Sequence, residues 1–310
     1  MRGRGFDVVH THCAKAGAVG RLAAHRTGVP RIVHTFHGFP FHEFQSSARR
    51  RAYVSVERRL GRITDVALCV GAGVAAEAVR RELIAPDRVR TIGVAVDGPD
   101  RAAARLNAAG PAARLRARAA LGVPADATVV GTVGRLTYQK APEDFLAALA
   151  KLRRPGVVGV WIGGGELAER IGRRVRALGI RVVLAGQRTD VLDLLPAFDI
   201  FAMASRYEGL PTVIIEAMIC GVPVVATAVN AVSDVVVPGE TGILVPPQRP
   251  ELLAAAIRYL LDAPAAAARM AALASARVAG RYGEPALRNA LMAAYSRAPS
   301  ARGYAYLSET

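Results

Sequence analysis

Cysteine is scarce in this chain, and its placement excludes two classes of small stabilised protein. The three cysteines, Cys13, Cys69 and Cys220, are odd in number and far apart, so they build no disulfide framework. They match neither a CxxC pair nor a Cys/His zinc spacing. This usage predicts a reducing, cytoplasmic location for the protein.

Long uninterrupted apolar runs are also missing. The longest apolar stretch, residues 212–232, contains Glu216 and is broken by Gly221 and Pro223, which disfavours a bilayer-spanning helix. The residues before Asp7 lack the apolar stretch of a secretory signal. The sequence therefore predicts a protein that neither spans a membrane nor is exported.

Lysine and aromatic residues are few, although the chain is strongly basic. Lys15, Lys140 and Lys151 are the only lysines, arginine supplies the remaining basic residues, and the formal net charge is +16. Such a charge attracts anionic partners, which include nucleotides, nucleic acids and acidic lipid surfaces. Aromatic residues make up only 5% of the chain and no zinc-finger spacing is present, so no nucleic-acid partner is predicted.

Hydrophobic residues are abundant, and their arrangement predicts an α/β fold. They make up 52% of the 310 residues. Short β-branched runs alternate with alanine- and arginine-rich helical stretches, which is typical of a parallel sheet covered by helices. The clearest predicted strands are residues 129–133, 157–162 and 200–203. We therefore predict a doubly wound α/β protein.

The alternation decays between Asp97 and Ala127, where three prolines and a short helical stretch predict an interdomain connection. We predict a first Rossmann-like domain at 1–105, a linker at 106–126, a second Rossmann-like domain at 127–282, and a C-terminal helix and tail at 283–310. The first block shows four strands where a dinucleotide-type fold has about six, so we expect that domain to be incomplete.

The segment 205–227, SRYEGLPTVIIEAMICGVPVVAT, carries the strongest indication of chemistry. Pro211, Gly221 and Pro223 confine a short helix, which leaves Glu208 in the preceding loop and places Glu216 inside the helix. Free backbone N–H groups at the helix start favour a diphosphate, and carboxylates beside it suit vicinal sugar hydroxyls. The alternative is that Glu216 pairs with an arginine and Glu208 is solvated.

Two further segments fit an anion site at the carboxyl edge of the sheet. In VGTVGRLTYQK a strand leads into Gly134 and Arg135, and Lys140 follows, so two cations can neutralise a diphosphate without a metal. Alternatively, both are ordinary surface residues. In WIGGGE, Gly164 lies in a glycine cluster that permits close backbone approach to a ligand, although the cluster also fits a simple tight turn.

The motifs GRLTYQK, IGGGE, EGLPTVIIEAMICGVPVVAT and PGETGILVPP, in this order, resemble the family-4 retaining glycosyltransferases of the GT-B fold. The opening DVVHTHCAKAGAVGRLAAHRTGVPRIVHTFHGFPFHE is similar to part of the same family's N-terminal domain. The resemblance runs roughly from Asp7 to Pro264. It implies two Rossmann-like domains that face each other across a cleft.

The resemblance implies a role for each matching residue. Arg135 and Lys140 would hold the donor diphosphate and stabilise its departure, Glu216 would bind the ribose, and Glu208 would contact the transferred sugar. Backbone around Gly209 and Leu210 would also face the phosphates.

Two positions outside these motifs also gain a role from the resemblance. The segment from Gly186 to Arg188 would border the base of the donor. His37, in HTFHGF, would lie beside the reacting sugar.

The implied reaction moves a hexosyl group from a nucleoside diphosphate sugar to an acceptor hydroxyl with retention of configuration. The acceptor would be a carbohydrate, a lipid-linked molecule or a small molecule in cell-envelope polysaccharide, glycolipid or glycoconjugate synthesis. No metal ion or other cofactor is expected. Two alternatives stay open, namely an inactive nucleotide-binding fragment or interaction module, and a GT-B sugar-nucleotide epimerase.

The sequence departs from the family pattern at two places. The family's first strand and glycine-rich loop have no counterpart before Asp7, so we expect a truncated N-terminal domain. In AVNAVSD, Asn230 and Ala231 replace paired glycines and Asp234 replaces a glutamate, which predicts a weakened backbone contact with the ligand, and Asn230 is not counted as a site residue. Ala141 likewise stands where glycine is usual.

One helical stretch is crowded with arginine, namely Arg49, Arg50, Arg51, Arg58, Arg59 and Arg62, around Tyr53, Val54, Val56 and Leu60. This composition is compatible with an amphipathic helix on anionic lipid, against the alternative of a solvated basic face. Peripheral association with the inner face of the cell membrane is therefore a hypothesis.

Overall fold

The computed structural model describes residues 5–42, 45–96, 111–279 and 281–296, which divide between two compact α/β units. The first unit takes the described residues of Met1–Val70, Ala75–Ile92 and Leu287–Thr310. The second takes Gly71–Val74 and the described residues of Gly93–Ala286. The predicted α/β class is confirmed.

The first unit is built on a parallel sheet of four strands in the order β1-β2-β3-β4. The strands are β1 Val8–His12, β2 Arg31–Phe36, β3 Val66–Cys69 and β4 Val89–Thr91. The helices that follow the first three strands are α1 Ala14–Arg26, α2 Ser47–Arg62 and α3 Ala72–Arg80. His12 of β1 pairs in register with Thr35 of β2, so the carboxyl ends of these strands lie side by side.

A helix from the end of the chain completes the first unit. The last helix of the described chain, α12, spans Glu284–Tyr295. Its Ala294 is buried with Val33, Leu68 and Ile92 of the sheet region. Arg31 Nε donates to the backbone oxygen of Ala294 at 2.7 Å, which fixes the end of the helix to the start of β2.

The second unit contains a six-stranded parallel sheet in the order β10-β9-β8-β5-β6-β7. The strands are β5 Thr128–Val133, β6 Val157–Ile162, β7 Val182–Leu184, β8 Ile200–Met203, β9 Val224–Thr227 and β10 Ile243–Val245. Strand β5 pairs with both β6 and β8. The strand order therefore reverses between β5 and β8, and open α/β sheets bind ligands outside the carboxyl ends of the strands at such a reversal.

Helices cover both faces of this sheet. They are α4 at residues 111–120, α5 Pro142–Leu152, α6 Ala168–Leu178, α7 Val191–Leu194, α8 Thr212–Ile219, α9 Val232–Val235, α10 Pro250–Asp262 and α11 Pro264–Val278. Val129 of β5 is buried in one apolar cluster with Phe201 and Ile215, whereas its neighbour Val130 is buried in a second with Trp161. Successive strand residues thus enter opposite layers, as a doubly covered sheet requires.

The segment expected to be a linker is described only in part. Residues 106–110 lie outside the described residues, whereas α4 follows directly at 111–120. Arg118 of α4 is 2% exposed, and its Nη2 lies 2.9 Å from Asp199 Oδ2. The same oxygen accepts the N–H of Val129 at 2.7 Å, which ties α4 to the starts of β5 and β8. The domain boundaries stay predictions, and the tail at 297–310 lies outside the described residues.

None of the helices within the described ranges is long and apolar enough to cross a bilayer.

Candidate functional site

Most of the predicted site residues lie on the two loops at the reversal of the second sheet. Gly134, Arg135 and Lys140 follow β5, which ends at Val133. Glu208, Gly209 and Leu210 follow β8, which ends at Met203. Because β5 and β8 are parallel neighbours, both loops leave the same edge of the sheet.

An ion pair joins the two loops. Lys140 Nζ lies 2.5 Å from Glu208 Oε1, although the residues are 68 apart in the chain. The side chains are 17% and 6% exposed, so Glu208 is not the solvated carboxylate of the alternative interpretation. Gln139 Nε2 donates to Glu208 Oε2 at 3.3 Å and to the backbone oxygen of Tyr207 at 3.0 Å. Both carboxylate oxygens of Glu208 are therefore held by residues of the β5 loop.

Gly134 lies directly against the side chain of Lys140, where a larger residue would crowd the lysine stem. A Cβ placed on Gly134 would lie 3.3 Å from three carbons of the Lys140 stem. Its backbone oxygen also accepts Trp161 Nε1–H at 2.8 Å. The absence of a side chain thus lets the lysine stem lie against the end of β5.

Asn230, which sequence reasoning did not count as a site residue, contacts the site directly. Its Oδ1 accepts the backbone N–H of Glu208 at 3.0 Å. Its backbone lies at φ 45°, in the left-handed region that asparagine tolerates better than other residues with a side chain. The asparagine therefore keeps the backbone conformation that a glycine would adopt and adds a hydrogen bond that a glycine lacks. Because asparagine tolerates left-handed backbone, the sequence alone could have indicated that position 230 keeps the conformation of the glycine it replaces.

Arg135 presents an uncommitted positive charge at this edge. Its side chain is exposed, and it forms no ion pair within the described residues. Burial raises the pKa of Tyr207 in the opposite loop, and the positive charge of Arg135 opposes that rise.

Glu216 lies in α8 and is the second uncommitted charge of the site. Burial raises the pKa of its carboxyl group above the usual range. Within the described residues it forms no ion pair, so the alternative pairing with an arginine is not observed. A half-buried carboxylate without a cation is an acceptor for ligand hydroxyls.

The start of α8 is open to an anion. Pro211 precedes the helix, no acidic side chain lies in its first turn, and no side chain caps it. Gly209 and Leu210, which come just before, are partly exposed. Within the part of the chain that the structure describes, the first N–H groups of α8 and the positive end of its dipole therefore lack a carboxylate as partner.

The glycine cluster after β6 closes against the β5 loop. A Cβ on Gly163, which has φ 132°, would lie 2.1 Å from the oxygen of Gly134, so only glycine fits. The backbone oxygen of Gly164 accepts the N–H of Leu136 at 2.7 Å. A Cβ on Gly164 would meet no atom within 4 Å, so this residue borders open space, as close ligand approach requires.

Arg188 lies after β7 and is joined to the site only indirectly. The Gly163 N–H donates to the oxygen of Gly186, two residues before it, at 2.7 Å. The guanidinium forms a bidentate ion pair with Asp190, in which Nε lies 2.8 Å from Oδ1 and Nη2 lies 2.5 Å from Oδ2. This pairing raises the pKa of Arg188. Among described residues, no hydrogen bond connects the Arg188 side chain to Lys140 or Glu208.

His37 belongs to the first unit, where it directly follows β2. Its ring is exposed and is hydrogen-bonded to His12. The part of the chain that the structure describes contains no group of three or more His, Cys, Asp or Glu side chains placed to hold a metal ion.

Comparison with known proteins assigns a family to this fold and site. The family of glycosyl transferases group 1 matches residues 114–277, and glycosyltransferase family 4 matches residues 1–98. The chain belongs to the group 1 glycosyltransferases. Its second unit, with the reversal between β5 and β8, coincides with the first of these matches.

Individual relatives agree with this assignment. The chain is 30% identical to the UDP-Gal:alpha-D-GlcNAc-diphosphoundecaprenol alpha-1,3-galactosyltransferase of Escherichia coli, over 73% of this chain and 58% of that protein. It is 34% identical to a D-inositol 3-phosphate glycosyltransferase of Kineococcus radiotolerans, over 95% of this chain and 72% of that protein. The glycosyltransferase chain thus spans 58% and 72% of the lengths of these two relatives.

Solved structures agree on the fold. Anabaena Alr3699/HepE, crystallised with UDP-glucose, superposes with a TM-score of 0.80 at 24% identity, covering 93% of this chain and 79% of that one. The sucrose-phosphate synthase of Thermosynechococcus elongatus gives a TM-score of 0.80 at 27% identity, covering 94% of this chain and 74% of that one. The predicted GT-B fold class of this glycosyltransferase is confirmed.

Proposed function

We propose that this glycosyltransferase binds a nucleoside diphosphate sugar at the reversal of its second sheet and transfers the sugar to an acceptor hydroxyl with retention of configuration. The observation that carries the proposal is the bond between Lys140 Nζ and Glu208 Oε1 at 2.5 Å. It joins a cation and a carboxylate from two loops at the place where open α/β sheets bind ligands.

The diphosphate is assigned to the positive groups of this edge. Arg135 is exposed and without an ion pair among described residues, and its planar donors match phosphate oxygens. Lys140 uses one of its three donors on Glu208, so two are left for the ligand. Together with the open start of α8, these groups stabilise the departing diphosphate without a metal ion.

The carboxylates are assigned to the sugars of the donor. Glu216 has no cation partner among the described residues, so it is assigned to the ribose hydroxyls. Glu208 is fixed by Lys140 and Gln139, so it is assigned to a hydroxyl of the transferred sugar. Its oxygens accept a ligand hydroxyl beside their present bonds, because an ionised carboxylate has about four lone-pair sites.

The names of relatives guide the choice of substrates. One relative is named for UDP-Gal and one structural neighbour holds UDP-glucose, which supports a UDP-hexose as the first donor to test. Relatives named for a diphosphoundecaprenol substrate and for inositol 3-phosphate support an acceptor that is a lipid-linked sugar or a small polyol. Such acceptors fit cell-envelope or glycoconjugate synthesis.

Peripheral membrane association is a further part of this proposal. On α2, Arg49, Arg51, Arg58, Arg59 and Arg62 are exposed, and Val56 is 46% exposed among them. A helix with exposed arginines and apolar side chains binds anionic lipid through charge and apolar burial together.

The test of the proposed reaction is product analysis. The purified chain is incubated with UDP-glucose or UDP-galactose and with inositol 3-phosphate or a diphosphoundecaprenol-linked sugar, and the anomeric coupling of the product is read by NMR. A glycosylated acceptor with the donor's anomeric configuration supports the proposal. Inverted product overturns retention, conversion of the donor alone indicates an epimerase, and nucleotide binding without either reaction indicates an inactive binding protein.

A further inference from the structure

Two histidine rings of the first unit are joined by a hydrogen bond. His12 is the last residue of β1, and His37 comes directly after β2. Nδ1 of His12 lies 2.9 Å from Nε2 of His37, and the rings stack at 5.2 Å between centroids with 30° between their planes. The parallel pairing of β1 with β2 brings these two strand ends together.

The bond links the tautomers of the two rings. A neutral imidazole carries one N–H, so one nitrogen of the pair donates and the other accepts. If His12 donates from Nδ1, the proton of His37 is on its own Nδ1. If His37 donates from Nε2, its Nδ1 is an acceptor. Whichever nitrogen of His12 carries its proton therefore sets whether the outer nitrogen of His37 donates or accepts.

The pair is neutral near pH 7. Partial burial lowers the pKa of His12, and partial burial followed by the charge of His12 lowers the pKa of His37. Two protonated rings would place two N–H groups against each other and break the bond. Within the described residues, Nδ1 of His37 has no hydrogen-bond partner, so it is the nitrogen open to a ligand.

His10 lies on the same face of β1 as His12, but it does not form a hydrogen bond with His37 among the described residues. The ring of His10 lies 4.2 Å from that of His12, but its nitrogens bond to Tyr295 Oη at 2.8 Å and Thr35 Oγ1 at 2.7 Å. Burial, followed by the charges of His12 and His37, lowers the pKa of His10 to about 4, so it stays neutral as well.

His34, whose charge state is coupled to these rings, belongs to the opposite face of the sheet. His34 bonds to Thr11 at 2.8 Å, and α1 packs against it through Gly17 and Arg21. Burial, together with the charge of Arg21, lowers the pKa of His34. Neither group forms a hydrogen bond with His12 or His37 among the described residues.

We infer that His12 is a positioning residue that fixes the tautomer and the ring orientation of His37, so that Nδ1 of His37 meets a ligand in one hydrogen-bonding state. An effect of His12 on sugar transfer rests on the proposed function and on the role beside the reacting sugar that the family resemblance implies for His37. The coupling between the two rings does not, because it follows from their hydrogen bond.

The experiment compares wild type with His12→Phe, which keeps a ring but has no nitrogen, and with His12→Asn, which keeps a hydrogen-bonding atom near the place of Nδ1. Ring-nitrogen NMR of the whole chain labelled with ¹⁵N reads the tautomer of His37. We expect one tautomer in wild type and a mixture in His12→Phe. With UDP-hexose as donor, we expect kcat to fall about ten-fold in His12→Phe at unchanged KM, and to recover largely in His12→Asn.

His25→Phe, at an exposed position of α1, is the control for introducing a phenyl ring, and it should leave the His37 signals unchanged. Identical His37 tautomers in wild type and His12→Phe would overturn the inference, and so would an unchanged kcat in an active enzyme. If wild type transfers no sugar at all, the proposed function fails, and the NMR result still decides whether His12 governs the tautomer of His37.

Discussion

Asn230 holds the loop of Glu208 through a single hydrogen bond, in which its Oδ1 accepts the Glu208 N–H at 3.0 Å while its own backbone lies at φ 45°. The residue therefore contributes both a side-chain bond and a left-handed conformation. Variants can separate these two contributions.

We expect Asn230→Gly to lower the free energy of unfolding by about 1 kcal/mol, because it removes one hydrogen bond. The left-handed backbone adds no further cost, since glycine adopts it without strain. Asn230→Ala should lower the free energy of unfolding by about 2 kcal/mol, because the left-handed conformation adds about 1 kcal/mol for alanine. Chemical denaturation measures both values.

Gln248 is the matched control for backbone conformation, since it is exposed and lies at φ 59°. Gln248→Gly should not destabilise the fold. Equal stability of wild type and Asn230→Ala would refute the role of Asn230 in holding the Glu208 loop.

Glu216→Gln should stabilise the ligand-free protein at pH 7 and weaken nucleotide binding. Burial raises the folded-state pKa of Glu216 above 4.5, so ionisation favours the unfolded state as pH rises through and above that value. The stabilisation by Gln should therefore be full above the raised pKa and vanish below about pH 4. Loss of the carboxylate should weaken UDP binding about ten-fold.

Thermal unfolding between pH 4 and pH 8, with and without UDP, reads both effects of Glu216→Gln. Glu240→Gln, at an exposed position, is the control and should change neither. A Glu216→Gln variant that is less stable at pH 7 than at pH 4, each relative to wild type, would contradict the burial argument.

Much of the fold could be predicted because its elements follow strong local patterns. Strands β6 at Val157–Ile162 and β8 at Ile200–Met203 match their predicted bounds, since each is a short continuous apolar run. Strand β10 at Ile243–Val245 was not predicted, because three apolar residues after a glycine carry too little periodicity to indicate a strand.

The candidate site was predictable in its residues but not in their bonds. The motifs brought Lys140 and Glu208 to one sheet edge, whereas their direct pairing depends on how two loops 68 residues apart fold against each other. Asn230 escaped because its effect lies in a backbone torsion angle and a bond to a distant N–H. Ala141 shows the same feature, since it adopts φ 49° at a position where glycine is usual.

Removal of divalent metal should not affect this glycosyltransferase. Under the proposed function, Arg135, Lys140 and the open start of α8 supply the positive charge that a diphosphate requires. We expect UDP affinity and any transfer rate to be the same after treatment with EDTA. Activity that returns to treated protein only on addition of Mg²⁺ or Mn²⁺ would show that these groups are not sufficient.

Anionic vesicles should bind the chain through α2. Substitution of Arg49, Arg51 and Arg59 by glutamine should weaken binding about a hundred-fold at low ionic strength, since each arginine near the surface contributes about 1 kcal/mol. Co-sedimentation with vesicles that contain phosphatidylglycerol measures this. The matched control replaces Arg170, Arg173 and Arg174, which are exposed on α6, and removes the same charge. Equal losses in both variants would indicate general charge attraction without a role for α2.

The Lys140–Glu208 edge of the second sheet should bind a nucleoside diphosphate, and calorimetric titration of UDP measures that binding. We expect wild type to bind UDP and Lys140→Met to bind it about ten- to a hundred-fold more weakly, as loss of a charge-assisted phosphate contact implies. Lys151→Met, at an exposed lysine without an ion pair among the described residues, should bind as wild type does. Equal UDP affinity in wild type and Lys140→Met, with both folded, would show that Lys140 does not bind the diphosphate.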